Sequence, residues 1–319
     1  MKVYRDLDQL PPDLGATVLS VGNFDGVHRA HQHVLRQNAK RARELGATSM
    51  VVTFDPHPFR ILRPDAPKKL ISPLPLKLRM FEACGIEAVL ILTFTRDLSL
   101  MPPREFAEKV LVGRLHVKEI HEGSNFHFGH QAEGNVDKLA EFGRELGFEV
   151  HIYPQRYLNR EHVSSSRIRQ VIAEGNVSRA RQLLARPFSI LGNAGRGRGY
   201  GHRYTVPTIN LARYDELVPA DGVYVTRTRV GRECFDSVTN VGIRPTFGPD
   251  SFAIETHLLN FHPVELRSNT EVEIYFLDRI RPEIRFPSVD DLRLQISRDV
   301  HKARRYFHHL EHRTRMASK

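Results

Sequence analysis

The sequence has few of the residues that build disulfide-rich or membrane-embedded proteins. It contains two cysteines, Cys84 and Cys234, in no metal-binding or redox spacing. That count argues against a disulfide scaffold and fits a reducing cytoplasm. No stretch approaches the roughly 20 apolar residues of a membrane helix, and the N-terminal stretch lacks the apolar core of a signal peptide. A GxxxxGK[ST] motif is also missing, which excludes a P-loop enzyme. We therefore expect a cytoplasmic protein without a membrane span.

The chain does have an ordinary globular composition with an excess of positive charge. It has 319 residues, of which 40% are hydrophobic and 26% charged, and its formal net charge is +10. This length is comfortable for two domains. A basic surface can attract nucleic acid or polyanionic small molecules such as ATP, or it can simply be solvated. The basic residues are not interleaved with aromatic residues as a single-strand binder requires, so nucleic acid is the less favoured partner.

The first half alternates strand and helix patterns, which is typical of a parallel sheet covered by helices on both faces. The predicted strands are 17–22, 49–54, 87–94, 117–122 and 148–153. The predicted helices are 28–45, 75–84, 103–113, 135–146 and 164–186. We expect an α/β domain over residues 1–186.

The pattern changes at the Gly- and Arg-rich stretch 187–201. Short alternating strands follow it, and they predict a small antiparallel β-barrel over residues 187–319 with a C-terminal helix at 288–309. The predicted barrel strands are 222–230, 234–241, 252–261 and 270–277.

The segment GNFDGVHRAH directly follows the first predicted strand and opens a helix. A helix N-terminus presents backbone N–H groups and positive potential to an anion, and Gly22 and Gly26 let the backbone approach a phosphate closely. His28 and His31 share a helix face, and their hydrogen bonds to phosphate oxygens would suit attack on an α-phosphate. From the residues alone, surface histidines or a zinc pair remain alternatives, although no third ligand in a recognisable spacing supports zinc.

A second candidate site lies beyond the Gly- and Arg-rich stretch. Thr208 and Asn210 alternate along an extended segment, so their side chains point the same way. Two neutral oxygens, together with phosphate oxygens and waters, suit Mg²⁺. Gly197 and Gly199 precede them in a loop whose backbone amides can wrap nucleotide phosphates. Taken alone, the PTIN segment is also the pattern of an ordinary turn entering a strand.

Four segments in order carry a resemblance to a known family: GNFDGVHRAH, TFDPHP at 53–58, GSNFHFG at 123–129 and VSSSRIR at 163–169. They resemble the nucleotidyltransferase superfamily, and specifically the bacterial bifunctional riboflavin kinase/FMN adenylyltransferases. The resemblance implies a Rossmann-like adenylyltransferase domain with His28 and His31 as catalytic residues. The phosphate-binding residues that it implies are Gly22, Asn23, Phe24, Asp25, Gly26, Ser164, Ser165, Ser166 and Arg169. The flavin-binding residues that it implies are Asn125, Phe126 and Phe128.

The second half resembles the kinase half of the same family in PTIN, in RPTF at 244–247, in the strand around Glu255 and in the closing stretch 280–299. The resemblance implies that Glu255 is the general base toward the riboflavin 5′-hydroxyl. It also implies that Thr208 and Asn210 bind Mg²⁺, with the loop glycines 197 and 199 on the ATP phosphates.

Departures from the family pattern fall mostly in the kinase half. Thr205 and Val206 stand where the family has Gly-Phe, and His202 stands where it has Arg. A β-branched Thr in place of Gly restricts the backbone of the phosphate loop. In the first half, Ala30 replaces a Gly of the histidine motif and Ser166 replaces a Thr. The adenylyltransferase half therefore matches the pattern more fully.

We expect an enzyme that phosphorylates riboflavin to FMN with ATP and then adenylylates FMN to FAD with release of pyrophosphate, with Mg²⁺ as cofactor. Its expected partners are the small molecules ATP, riboflavin and FMN, with neither a membrane nor nucleic acid, and the sequence does not give the oligomeric state. Two alternatives stay open. One is an FMN adenylyltransferase with a weakened kinase half. The other is a basic nucleic-acid-binding regulator that retains a flavin-binding barrel.

Overall fold

A computed structural model describes residues 1–66, 68–194, 208–211, 214–243, 252–262 and 270–317. Contacts between residues divide the chain into two compact units, Met1–Ser165 and Ser166–Lys319. Residues 166–186 group with the second unit because the helix Val177–Leu184 packs against strands of that unit. The functional domain boundary near residue 186 stays a prediction.

The first unit is built on a six-stranded parallel sheet, which confirms the predicted fold class. The strand order is β1-β4-β3-β2-β5-β8, and all neighbouring strands are parallel. The six strands of this sheet are β1 Lys2–Tyr4, β2 Thr17–Val21, β3 Thr48–Phe54, β4 Ala88–Leu92, β5 Val117–Gly123 and β8 Glu149–Tyr153. Two short antiparallel pairs lie outside it: β6 His127–Phe128 with β7 Gly134–Asn135, and β9 Tyr157–Leu158 with β10 Glu161–His162. The helices are α1 Arg29–Leu45, α2 Pro58–Leu62, α3 Leu74–Ala83, α4 Arg96–Leu100, α5 Pro103–Glu105 and α6 Val136–Leu146.

Alternate residues of the central strands enter two different apolar clusters. Met50 and Leu90 belong to one cluster, whereas their neighbours Val51 and Val89 belong to the other. Successive side chains of a strand point to opposite faces, so each cluster covers one face of the sheet. Burial on both faces explains why these strands are continuous apolar runs in the sequence.

Helix α1 is fixed to the sheet by a buried amide as well as by apolar side chains. Asn38 is fully buried and donates from Nδ2 to the carbonyl oxygen of Val18 at 3.1 Å. The helix ends at Leu45, where Gly46 adopts a left-handed φ of 62°. Such an end needs a residue without a Cβ penalty, which glycine supplies. The other end of α1 lies after β2, where the first candidate site begins.

The second unit contains a curled, six-stranded antiparallel half-barrel and a C-terminal helix. The strand order is β11-β16-β13-β14-β15-β12. The strands are β11 Phe188–Asn193, β12 Thr208–Asn210, β13 Gly222–Val230, β14 Glu233–Ile243, β15 Phe252–Leu258 and β16 Glu271–Pro282. The helices are α7 Ser165–Ala173, α8 Val177–Leu184 and α9 Val289–Ala317. Among the described residues of the chain, no helix combines the length and apolar character needed to cross a membrane.

Three predicted helices differ from the observed ones. The single helix predicted at 164–186 is two helices, because Gly175 adopts a left-handed φ of 78° and Asn176 caps the start of α8. The helix predicted at 103–113 begins as α5 and continues as a π-helix over Phe106–Val112. The last helix extends to Ala317, beyond the predicted end at 309.

The two faces of the half-barrel sheet have different chemistry. One face packs its apolar side chains, such as Val225 and Val238, against Ala303 and Phe307 of α9. The other face carries a fully buried group of hydroxyls linked by hydrogen bonds of 2.7–3.1 Å. Its members are Thr226, Thr228, Ser237, Thr239 and Thr256. Each hydroxyl can donate once and accept twice, so the network satisfies polar groups that burial would otherwise penalise.

Candidate active sites

The segment between β2 and α1 turns sharply at the carboxyl end of the parallel sheet. Phe24, Gly26 and Val27 adopt left-handed φ values of 46°, 81° and 36°. A Cβ at Gly26 would lie 3.1 Å from side-chain atoms of Ile71, so both the turn and the packing favour glycine. Phe24 and Val27 are buried, and their packing holds a conformation that costs energy for residues with a Cβ. The segment is thus a tightly fixed loop.

Asp25 anchors this loop. Its carboxylate accepts the backbone N–H of Ile71 at 3.0 and 3.2 Å and that of Ser72 at 3.2 Å. Its carbonyl oxygen accepts the Ser165 hydroxyl at 2.9 Å. The family resemblance implies that Asp25 is a phosphate-binding residue, whereas the contacts observed are those of an anchor that fixes the loop. A phosphate contact of its own stays a prediction.

His28 and His31 lie together at the start of α1, as their spacing predicts. Their rings are stacked with centroids 3.5 Å apart. His28 is the N-cap: its Nδ1 accepts the backbone N–H of His31 at 3.3 Å. In the neutral His28 ring the proton then lies on Nε2, which makes that nitrogen a donor. Burial lowers the pKa of His31 well below its usual range, and His28 and Lys77 act in the same direction, so His31 is neutral at pH 7.

Three buried polar atoms near the carboxyl ends of β2 and β3 lack a hydrogen-bond partner among the residues that the structure describes. They are Asn23 Oδ1, His31 Nδ1 and Thr53 Oγ1. Buried polar atoms normally form hydrogen bonds, so a buried atom without one indicates a place where a ligand or an ordered water can bind. This edge of the sheet is also where open α/β sheets bind their ligands. The three atoms therefore indicate a ligand site at the same edge of the sheet as the GNFDG loop.

Lys77 of α3 is a site residue that the sequence analysis missed. It is 3% exposed, and its Nζ donates to the carbonyl oxygen of Asn23 at 3.1 Å. Burial lowers the pKa of the Lys77 ammonium, against the opposing effect of the Asp25 and Asp55 carboxylates. The only signal in the sequence is its place on the helix, next to the buried Leu76.

Glu122 at the end of β5 is also buried and was missed. Its Oε1 accepts the backbone N–H of Val21, the last residue of β2. Burial raises the pKa of this carboxyl well above its usual range, against the effect of that hydrogen bond. A single carboxyl therefore links the end of β5 to the residue that precedes the loop.

The segment predicted to bind flavin has mainly packing contacts. The rings of Phe126 and Phe128 are stacked with centroids 5.3 Å apart. Phe128 is buried and contacts Phe106, whereas Phe126 is partly buried against the same core. Asn125 places its Oδ1 beside Gly123, 3.1 Å from where a Cβ of that glycine would lie. Flavin binding by these residues stays a prediction.

The serine segment begins at the end of the first unit. Ser164 and Ser165 are half-buried, and Ser165 donates to the loop carbonyl of Asp25 as described above. Ser166 is exposed and Arg169 is half-buried on α7, and both belong to the second unit. Their contact with triphosphate oxygens stays a prediction.

In the second unit, the register of three strands aligns the predicted kinase residues. Asn210 of β12 and Asn240 of β14 both pair with Glu255 of β15, one on each side. Thr208 pairs with His257, two residues along β15 from Glu255. Side chains two residues apart share a sheet face, so Thr208, Asn210 and Glu255 lie on one face.

Several residues of the kinase prediction lie outside the described residues. They are Gly197, Gly199, His202, Thr205, Val206 and the segment 244–247. The phosphate loop and its departures from the family pattern therefore stay at the level of sequence.

Comparisons with known proteins cover both halves of the chain. The family model described as FAD synthetase matches residues 10–167, and that described as riboflavin kinase matches residues 184–307. A bifunctional riboflavin kinase/FMN adenylyltransferase of Haemophilus influenzae is 34% identical over 96% of this chain and 99% of its own length. One from Escherichia coli K12 is 32% identical over 96% of this chain and 98% of its own.

The chain belongs to the bifunctional riboflavin kinase/FMN adenylyltransferase family. A solved structure described as a macrolide-efflux protein from Streptococcus pneumoniae is also similar, with a TM-score of 0.84 and 28% identity over 95% of this chain and 98% of that one. The resemblance inferred from the four sequence motifs is thus confirmed at the level of the family.

Proposed function

We propose that this member of the riboflavin kinase/FMN adenylyltransferase family carries out both reactions of its family. In the first, the riboflavin 5′-hydroxyl oxygen bonds to the γ-phosphorus of ATP, and ADP leaves. In the second, a phosphate oxygen of FMN bonds to the α-phosphorus of a second ATP, which gives FAD and pyrophosphate. The observation that carries the proposal is the match of both halves, together with full-length relatives that bear both activities in their names.

For adenylyl transfer, the loop and the start of α1 supply the groups that a phosphorus centre needs. Negative charge grows on the α-phosphate oxygens as the new bond forms. The Nε2–H of His28 and the positive end of the α1 dipole can stabilise that charge. The Asp25 carboxylate accepts hydrogen bonds from the backbone N–H groups of Ile71 and Ser72. It therefore supports the geometry of the loop without needing to contact a phosphate.

For the kinase reaction, Glu255 is proposed to accept the proton of the riboflavin 5′-hydroxyl. The oxygens of Thr208 and Asn210 share its sheet face, and neutral oxygens beside a carboxylate form a donor set suited to Mg²⁺. When bound, Mg²⁺ would neutralise charge on the transferring phosphate. The residues of this sheet face would orient the riboflavin 5′-hydroxyl, and Glu255 would take its proton.

The test separates the two steps by substrate. Wild-type protein is supplied with ATP and Mg²⁺ plus either riboflavin or FMN, and the flavins are resolved by chromatography. His28→Asn is expected to slow FAD formation from FMN by about 10²–10³ while sparing FMN formation. Asparagine is a good N-cap, so this variant removes the imidazole and keeps the helix start. Glu255→Gln is expected to do the reverse.

Two controls make the comparison specific. His308→Ala removes an exposed histidine of α9, and Glu233→Gln removes an exposed carboxylate of β14. Both should retain both activities. If wild-type protein makes FAD from FMN but nothing from riboflavin, the kinase half is inactive and the adenylyltransferase alternative is correct. If His28→Asn loses both activities equally, the two-site proposal fails.

A further inference from the structure

A cluster of imidazole and carboxylate groups lies in the first unit away from the GNFDG loop. Glu119 and His121 are two residues apart on β5, and His151 of β8 is paired with His121 in register. Arg41 of α1 contacts Glu119 from the helix side. On α1, Arg41 lies roughly 15 Å along the axis from His31, at 1.5 Å per residue. The cluster is therefore separate from the nucleotide loop.

The three potential ligand atoms converge on one point. The Nε2 atoms of His121 and of His151 each lie 3.2 Å from Glu119 Oε2, and the three atoms all lie within 4.8 Å of one another. In a tetrahedral zinc site with bonds near 2.0–2.2 Å, ligand atoms lie about 3.3 Å apart. Two of the three separations already have that value. A small movement of the exposed edge strand β8 would set the third.

One ligand atom approaches two carboxylates without a hydrogen bond to either: His151 Nε2 lies 3.2 Å from Glu119 Oε2 and 3.6 Å from Glu149 Oε2. His151 Nε2 is buried and has no hydrogen-bond partner within the described part of the chain, because its approach to Glu119 is not in hydrogen-bonding geometry. Buried ring nitrogens are normally paired. A cation placed between His151 and Glu119 would pair this nitrogen.

The surrounding contacts resemble those that orient metal ligands. His121 Nδ1 is hydrogen-bonded to the Tyr153 hydroxyl at 2.8 Å, which fixes the ring with Nε2 toward Glu119. Metal-binding histidines commonly use their second nitrogen in this way. Arg41 places its Nε on Glu119 Oε2 and its Nη2 on Oε1. A carboxylate has about four acceptor positions, so this pair leaves Oε2 able to bind a cation as well.

We propose that Glu119, His121 and His151 form a binding site for a divalent transition-metal ion of the Zn²⁺ class. Two imidazoles and one carboxylate are a ligand set for zinc, whereas Mg²⁺ prefers oxygen ligands only. The site is therefore chemically distinct from the magnesium site proposed for the kinase half. It joins β8, at the edge of the sheet, to β5 and, through Arg41, to α1.

The test measures Zn²⁺ binding to the full chain after removal of metals with a chelator. Competition with a chromophoric chelator gives the affinity, and Co²⁺ serves as a spectroscopic probe of the ligands. We expect one Zn²⁺ per chain and a Co²⁺ spectrum without thiolate charge-transfer bands. His151→Ala and Glu119→Gln should each weaken binding by at least about 100-fold, the upper end of the effect of losing an outer-shell partner. Zn²⁺ should raise the melting temperature of the wild type and not that of His151→Ala.

The matched control is the double variant His308→Ala/His312→Ala, which removes an exposed histidine pair one turn apart on α9. It should bind Zn²⁺ as the wild type does. Loss of binding in this control alone would place the metal on α9 and overturn the proposal. Thiolate bands with Co²⁺, or no stoichiometric binding by folded wild-type protein, would overturn it as well. Circular dichroism of every variant distinguishes lost ligation from lost folding.

Discussion

The clearest structural prediction concerns Asp25, whose carboxylate holds the nucleotide loop. In Asp25→Ala, the backbone N–H groups of Ile71 and Ser72 would lose their acceptor. Both residues are buried, at 0% and 1% exposure, so each hydrogen bond lost to the Asp25 carboxylate costs about 1–3 kcal/mol. We expect the free energy of unfolding of the first unit to fall by about 2–6 kcal/mol for the two donors together. Asp25→Asn keeps one acceptor oxygen that can serve both donors, so it should lose only about 1–2 kcal/mol.

The assay reads these two donors directly. Amide hydrogen exchange should show lost protection at Ile71 and Ser72 in the alanine variant and partial protection in the asparagine variant. Global stability is followed by circular dichroism in urea, because the chain contains no tryptophan. FAD formation from FMN should fall while FMN formation persists. Asp13→Ala, at an exposed position, is the control and should change stability by less than about 0.5 kcal/mol. Equal protection of both amides in Asp25→Ala and Asp13→Ala would refute the anchoring role.

Two further predictions concern buried polar groups. Burial raises the pKa of Glu122 in the folded protein, so ionisation of this carboxyl opposes folding. The stability that the protonated carboxyl contributes is complete below its unfolded pKa near 4.5 and is lost as the pH rises through its folded pKa. Glu122→Gln keeps the acceptor for Val21, so its urea midpoint should match the wild type at pH 4 and exceed it at pH 8; a lower midpoint at pH 8 would contradict this. Thr256→Val removes a hydroxyl bonded to Thr228 and Thr239 and should cost about 1–3 kcal/mol. Thr53→Val removes a fully buried hydroxyl with no partner in the described residues and should cost less; equal losses would mean that the network adds nothing.

The fold could be predicted from the sequence where one local pattern decides the structure. The apolar runs of β3 and β4 are buried on both faces, so their sequence alone indicates a parallel sheet. The break between α7 and α8 was missed although Gly175 and Asn176 are ordinary end and start signals. The apolar periodicity continues on both sides of them and hides the break. Local sequence signals thus predict an element when they agree with the apolar periodicity. They are ambiguous when that periodicity continues across a helix end.

The sites were predictable only as far as their residues are close in sequence. His28 and His31 lie in one helical turn, and Thr208 and Asn210 on one strand, so spacing alone pairs them. Glu255 needed the family resemblance, because its pairing with Asn210 joins distant segments. Lys77 reaches the loop from α3, and no spacing rule connects it to Asn23. For zinc, the sequence spacing suggests only the pair His28 and His31, without a third ligand in a recognisable spacing. The cluster that the structure contains spans two neighbouring strands.

The structure also makes the two histidines of the first site unequal, although the sequence treats them as a pair. His28 uses Nδ1 to cap α1, so its proton lies on Nε2 and its ring cannot rotate without uncapping the helix. His31 supplies the backbone N–H to that cap and keeps a buried Nδ1 without a partner in the described part of the chain. One ring is therefore a fixed donor, and the other holds an unsatisfied nitrogen. A buried nitrogen without a hydrogen bond lowers the stability of the empty site. A ligand that forms this hydrogen bond removes that cost, which strengthens its binding. If both histidines are catalytic, as the family resemblance implies, we expect His28 to act mainly on the charge that grows during transfer, and His31 mainly on nucleotide affinity.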